Sequence, residues 1–139
     1  MIDGPIHHVG VVVEAIEESV ARYEKLTGRV ASAVVELPSM GIRLAFVGSL
    51  ELIEPTSPDS PVGRFLVARG AGLHHIAFAV DDLAATMEKM ISSGVRFVDE
   101  TPRVGAEGHL IAFLHPDSTG ESLIELVQAD PRHSISEKA

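Results

Sequence analysis

The sequence predicts an α+β fold in which two βαβββ repeats curl into one open barrel with the helices outside. Three observations carry that expectation. The chain has 139 residues and no cysteine, enough for two units of ~65 residues sharing a core but too little for a multidomain enzyme. The segment Ile6-His7-His8-Val9-Gly10-Val11-Val12-Val13 recurs as Leu73-His74-His75-Ile76-Ala77-Phe78-Ala79-Val80 at an offset of 67, and Leu44-Ala45-Phe46-Val47 recurs at the same offset as Ile111-Ala112-Phe113-Leu114. Each copy then meets a strand-like piece with one acid in it, Leu50-Glu51-Leu52-Ile53 and Ile124-Glu125-Leu126-Val127.

The elements follow from local pattern. β-branched runs at about 5 to 13 and 73 to 80 read as the first strand of each repeat. The helix that follows the first run carries Ile16, Val20 and Tyr23 at helical spacing and stops at Gly28. Its counterpart is capped by Asp81 or Asp82, striped by Leu83, Met87, Met90 and Ile91, and ended by Gly94. Three strands complete each repeat, at 30 to 37, 42 to 47 and 50 to 54, and again at 95 to 99, 109 to 115 and 122 to 128. Gly48-Ser49 reads as a two-residue hairpin turn, because glycine supplies the positive φ such turns need. The single domain 1–139 thus divides into repeat one (about 5–54), a linker (55–72), repeat two (about 73–128) and a polar, loose tail (129–139). Within the linker, Ser60 as cap and Pro61 in the first turn start a short helix that Gly70 stops.

Composition removes whole classes of function. Apolar residues make up 45% of the chain, which is ordinary for a globular protein, and no apolar run approaches the ~20 residues of a membrane span. Eleven Lys and Arg against 20 Asp and Glu leave a formal charge of -9, which argues against nucleic acid and against an anionic membrane as partners. Without cysteine there is no disulfide scaffold, thiolate nucleophile or iron–sulfur cluster. The first residues lack a signal peptide's pattern, so a cytoplasmic location is expected, and any metal must sit on histidine and carboxylate.

The paired histidines and the strand acids are the candidates for chemistry. Neighbouring strand residues point to opposite faces, so one histidine of each pair is expected on the concave face and the other outward. Alternation does not say which. A lone strand histidine is usually a hydrogen-bonded structural residue, and a lone strand glutamate usually faces water, but recurrence in both repeats favours a site. One histidine and one glutamate per repeat bring four ligands to the pseudo-twofold axis. Such a 2-His-2-carboxylate set suits Mn, Co, Fe, Ni or Zn and leaves two open positions for a chelating substrate. Gly105-Ala106-Glu107-Gly108 lacks the Lys-Ser/Thr of a phosphate loop and reads as a plain loop. His115, before Pro116, is either a substrate contact or part of a turn.

Three segments resemble the vicinal oxygen chelate (glyoxalase/bleomycin resistance) superfamily and, within it, the methylmalonyl-CoA epimerases. They are His7-His8-Val9-Gly10, the stretch from Glu51 through Glu54-Pro-Thr-Ser-Pro-Asp-Ser-Pro to Gly72-Leu-His-His-Ile, and Ile111-Ala-Phe-Leu-His-Pro-Asp-Ser-Thr-Gly with Leu123-Ile-Glu-Leu. With the helices between them they span nearly all of residues 5 to 128. The His-Val-Gly and Ile-Glu-Leu pieces mark only the superfamily, whereas the Glu-Pro-Thr-Ser-Pro-Asp-Ser-Pro linker and the Phe-Leu-His-Pro strand end are more specific to the epimerases.

The resemblance implies a glyoxalase-like fold and a divalent cation (Co, Mn, Ni, Fe or Zn) on His8, Glu51, His75 and Glu125. It implies an acyl-CoA substrate, with epimerisation of (R)- and (S)-methylmalonyl-CoA by α-proton abstraction through a metal-stabilised enolate. Arg64, Arg69 and Arg103 could then meet coenzyme A phosphates, or be ordinary solvated cations. Glu51 and Glu125, the two acids related by the pseudo-axis, are expected to serve as bases as well as ligands. Some members carry a glutamate base where this chain has Leu44, paired with glutamine at the metal; other members have glutamate at the metal, as here. Many epimerases also have Gly-Gly where this chain reads Gly120-Glu121-Ser122. A homodimer is expected, since open sheets leave edges that need protection and the superfamily usually pairs subunits. The alternatives are a lactoylglutathione lyase-like isomerase, against which the linker motif speaks, and a metal-free drug-binding resistance protein, against which the ligand quartet speaks.

Overall fold

The computed structural model describes residues 1–120 and 122–129, so all but the first residue of the expected tail lies outside the described residues. Two compact units emerge. One runs from Val9 to His74, and the other joins residues 1–8 to the described residues between His75 and Ala129.

The Val9–His74 unit carries β1 (Ile6–Val12, from its fourth residue), α1 (Ile16–Thr27), β2 (Val35–Leu37), β3 (Ile42–Val47), β4 (Leu50–Pro55) and α2 (Pro61–Arg69). Its strand order is β2-β3-β4-β1, with β1 parallel to β4 and the other neighbours antiparallel. The other unit holds β5 (Gly72–Val80, from His75), α3 (Leu83–Ser92), β6 (Arg103–Val104), β7 (Leu110–Phe113), α4 (Pro116–Thr119) and β8 (Ile124–Gln128). Its order is β5-β8-β7-β6, again with one parallel pair, β5 with β8. The chain's first residues lie along β5 in this unit, where the Ala79 amide donates to the Pro5 carbonyl at 2.9 Å. These are the α+β class and the two βαβββ repeats read from the sequence.

Each unit packs its helix on one sheet face. Ile16 of α1 meets Val11, Val13, Ala45, Val47 and Leu52. Leu83, Met87 and Met90 of α3 meet Val80, Ala112, Leu114 and Leu126. Leu52 and Leu126 are fully buried, and cutting either back to alanine costs about 2–5 kcal/mol through lost transfer energy and the cavity left behind. Ile91, expected in the α3 stripe, is half exposed instead.

The helix entries repeat as well. The Ile16 amide donates to Glu54 Oε2 at 2.8 Å, and the Leu83 amide donates to Gln128 Oε1 at 2.9 Å. In both, the side chain three residues beyond the strand acid satisfies an N–H that the helix itself leaves open. Asp82, rather than Asp81, is the cap of α3 and accepts from the Ala85 amide. Ser60 caps α2 and Gly28 ends α1 in the left-handed region, both as expected. At the β3–β4 turn Gly48 has φ 60° and Ser49 is not positive, the φ signature of a type II′ hairpin turn.

Two expected strands are cut short for one shared reason. The strand expected at 30 to 37 is reduced to Val35–Leu37, because Ser32 Oγ takes the Phe46 amide at 2.8 Å where a ladder carbonyl would stand. The strand expected at 95 to 99 is reduced to a bridge between Phe97 and Leu114, because Asp99 Oδ2 takes the Phe113 amide at 2.8 Å. Ser32 and Asp99 are themselves repeat equivalents, as are Phe46 and Phe113. Side chains of this kind compete with ladders for backbone donors. The edge role in the second repeat passes to the two-residue β6.

Candidate metal and active site

Strand register explains why histidine and glutamate share a face. Gly10, two residues after His8, pairs with Glu51 in the β1–β4 ladder. Ala77, two residues after His75, pairs with Glu125 in the β5–β8 ladder. Residues two apart on a strand share a face, and directly opposed residues do too. Each repeat therefore presents its second histidine and its acid on the same side.

His8, His75 and Glu125, all of one unit, converge. His8 Nε2 lies 3.1 Å from His75 Nε2 and 3.1 Å from Glu125 Oε1, and His75 Nε2 lies 3.2 Å from the same oxygen. The imidazoles stand at 90° with centroids 5.2 Å apart. Phe113, opposite Glu125 in the β7–β8 ladder, sets its ring against His75 at 5.9 Å. All three polar side chains are buried. Burial alone would raise the Glu125 pKa, but its hydrogen bonds with His75 and His8 outweigh that and hold the carboxyl at about 2.

This donor set fits a divalent cation. Cis ligands of an octahedral ion with bonds of ~2.1 Å stand ~3.0 Å apart. The three edges of the His8–His75–Glu125 triangle are 3.1, 3.1 and 3.2 Å. Two neutral imidazoles and a carboxylate are ligands that Zn, Co, Mn, Fe and Ni all accept.

Glu51 belongs to the other unit and is as buried as Glu125. Its neighbours match: Glu51 faces Phe46 across β3–β4 as Glu125 faces Phe113 across β7–β8. A water-facing position is therefore excluded for both acids. Leu44, opposite Ile53 and buried, adds no base to that face.

The expectation that one histidine of each pair looks outward fails for His7, which is only 2% exposed. Its Nδ1 lies 2.8 Å from the Nδ1 of His8. His74 is half-buried and sets its ring against Phe65 at 4.9 Å. Alternation fixes which face a residue starts toward, but a long ring at a strand end can fold back onto its neighbour. The remaining candidates find protein partners. His115 Nδ1 accepts from the Asp117 amide at 3.1 Å and caps α4, the turn reading of that residue. Arg64 donates to the Asp59 carbonyl. Arg69 lies over the Phe65 ring, and Arg103 over Phe113 while paired with Asp99 at 2.8 Å. Gly105 to Gly108 form a tight turn, as a plain loop should, with the Gly105 amide donating to the His109 carbonyl.

Residues 7–113 match the family model of the Glyoxalase/Bleomycin resistance protein/Dioxygenase superfamily. The mitochondrial methylmalonyl-CoA epimerase of Homo sapiens is 35% identical over 131 residues, covering 91% of this chain and 74% of its own. An ethylmalonyl-CoA/methylmalonyl-CoA epimerase of Cereibacter sphaeroides is 31% identical over 131 residues, covering 90% of this chain and 98% of its own. The structure of a Streptomyces coelicolor methylmalonyl-CoA epimerase in complex with 2-nitronate-propionyl-CoA matches with a TM-score of 0.84 at 33% identity, over 92% of this chain and 96% of that one. No helix among the described residues is long and apolar enough to cross a membrane. The chain belongs to the glyoxalase/bleomycin resistance protein/dioxygenase superfamily and, within it, to the methylmalonyl-CoA epimerase family.

Proposed function

We propose that this protein is a divalent-metal-dependent epimerase that interconverts (R)- and (S)-methylmalonyl-CoA. The observation that carries the reading is the buried triangle of His8, His75 and Glu125, with edges near 3 Å, in a chain of this family. Glu51 is the fourth ligand in this proposal. Its support is the register it shares with Glu125, each acid opposite the residue two beyond a histidine. A bound divalent cation would supply positive charge to the thioester and carboxylate oxygens of the substrate, where negative charge grows as the α-proton leaves.

Glu51 and Glu125 serve as the acid–base pair, one for each face of the α-carbon, while His8 and His75 hold the second acid in place. Support for pairing these two acids is their equivalence in the repeats, and no acid stands at Leu44 to take the part instead. Glu125 accepts a proton only as the contacts that keep it ionised loosen: in the metal-free protein these are its hydrogen bonds with His75 and His8, which hold it at about 2, and a bound cation, held by the same imidazole Nε2 atoms, would supply positive charge in their place. The substrate class is supported by the acyl-CoA bound to the Streptomyces relative. A nitronate is planar at the carbon next to the thioester and carries its negative charge on the neighbouring oxygens, as a 2-methylmalonyl thioester does once that carbon is deprotonated. We also propose a homodimer, since the sheet order leaves β2 and β6 as outer strands with an open edge each, and open edges need protection.

Metal analysis of the purified protein, followed by proton NMR of methylmalonyl-CoA in deuterated water, tests the reading. Loss of the α-proton signal with retention of the methyl group is expected. Inertness beside turnover of a glutathione hemithioacetal would assign a lyase instead, and inertness to both in a metal-free protein would assign a binding protein. Light scattering is expected to give twice the chain mass of 14.8 kDa; the chain mass itself would refute the dimer.

A further inference from the structure

Both ligand histidines are preceded by another histidine, and the first pair folds onto itself. His7 is buried, with its Nδ1 2.8 Å from His8 Nδ1 and the rings at 77°. The ring of His109 also stands against it, edge-on with centroids 6.0 Å apart. The turn at Gly105–Gly108 delivers His109 there: the Gly105 amide donates to the His109 carbonyl at 2.8 Å, the Gly108 amide to the Gly105 carbonyl at 3.1 Å, and Gly108 takes φ 79°. His7 thus touches both the ligand histidine and a second ring.

Two imidazole nitrogens at this distance share one proton, so one donates and the other accepts. His8 turns Nε2 toward His75 and Glu125. Without a cation the hydrogen bond to Glu125 keeps the His8 proton on Nε2; with one, a neutral imidazole that ligates through Nε2 carries its proton on Nδ1, so in the loaded protein the donor is His8 Nδ1–H and the acceptor is the lone pair of His7 Nδ1. His7 then keeps its own proton on Nε2. We propose that His7 is a positioning residue for His8, accepting the His8 Nδ1–H and so fixing the ring orientation and tautomer that present Nε2 to the cation. The proposal rests on the metal reading above. A neutral acceptor orients the ring without placing a further negative charge next to Glu125.

The N–H···N bond can be read directly in uniformly 15N-labelled, zinc-loaded protein. A scalar coupling between His8 Nδ1 and His7 Nδ1 is expected, together with slow solvent exchange of the His8 imidazole proton. His7→Leu removes the acceptor, and zinc affinity measured by chelator competition is expected to fall about 10–100-fold. His7→Asn returns an acceptor oxygen near the place of Nδ1 and is expected to recover most of that affinity, which a purely space-filling role would not produce. An absent coupling, an unchanged affinity in His7→Leu, or His7→Asn no better than His7→Leu overturns the proposal and leaves the metal reading standing. An unsubstituted protein without measurable zinc affinity overturns both. Should His7→Leu fail to fold, the coupling in the unsubstituted protein decides.

Discussion

The two repeats carry the same ligand types at the same register but surround them differently. In the first, β3 and β4 are joined by the two residues Gly48 and Ser49, whereas in the second the link from β7 to β8 runs through α4. In the first, the helix entry is held by a charged Glu54 that also binds Arg43 at 3.0 Å, and Arg43 reaches on to Glu17 of α1. In the second, the same place is taken by the neutral Gln128. His8 is backed by another histidine, and His75 by Phe113. What recurs is what strand register dictates, namely the histidine, the acid, the Phe opposite it and the helix pin. What differs is the means by which each copy satisfies or packs around those groups, so the two acids are equivalent in backbone and unequal in environment.

The largest test of that inequality is Glu51→Gln, in which glutamine can still coordinate. Metal is expected to be retained while solvent exchange of the α-proton falls about 10²–10⁴-fold for one stereoisomer and far less for the other. Equal exchange of both isomers at the unmodified rate would make Glu51 a ligand only. Acid is the next test, applied to chelator-treated protein. The folded value of Glu125, about 2, lies below its ordinary 4.5. Its contribution to stability is therefore complete above about 4.5 and lost as the pH falls through about 2. Urea melts of the chelator-treated protein should show this acid loss shrink in Glu125→Gln, and an unchanged pH profile would refute the assignment.

Smaller effects separate the helix pins. Glu54→Ala breaks a charged hydrogen bond and is expected to cost about 1.5–3 kcal/mol in urea unfolding, against about 0.5–1.5 kcal/mol for Gln128→Ala. A larger loss for Gln128→Ala would reverse the ranking. The two side chains that interrupt the ladders divide in the same way. Ser32→Ala should cost about 0.5–1.5 kcal/mol, with Asp99→Ala above it because Asp99 also pairs with Arg103. Equal losses would show that the Arg103 pair contributes nothing, as a half-exposed ion pair can.

Much of this was legible in the sequence because hydrophobic period and capping chemistry are local. The helices after Val13 and Asp82 and the Ser60 cap follow from patterns within about a dozen residues, while the repeat and its two strand acids follow from laying the chain against itself. Strands 30 to 37 and 95 to 99 were read too long for a physical reason: periodicity records which residues are apolar, not that Ser32 or Asp99 takes a ladder amide from a strand further along the chain. The inward turn of His7 was hidden similarly. Alternation assigns it to the opposite face from His8, and only the ring-to-ring distance shows that it stays with its neighbour. Glu54 and Gln128 could have been found. Each lies three residues beyond a strand acid in a repeat already recognised, and a polar side chain there is what an uncapped helix start requires.

The unequal hairpins have one more consequence. His8 to His75 and Phe46 to Phe113 span 67 residues, but Glu51 to Glu125 spans 74, so the second hairpin is seven residues longer than the first. Seven is odd, and inside a strand an odd insertion would turn every later side chain to the opposite face. Here Phe113 still faces Glu125 as Phe46 faces Glu51, because the extra length is looped out beyond the last ladder pair. The tip of this hairpin is therefore free to vary in length over evolutionary time. Insertions and deletions there leave the parity of β8 untouched, and a lineage can remodel that loop without ever displacing the acid that the strand delivers.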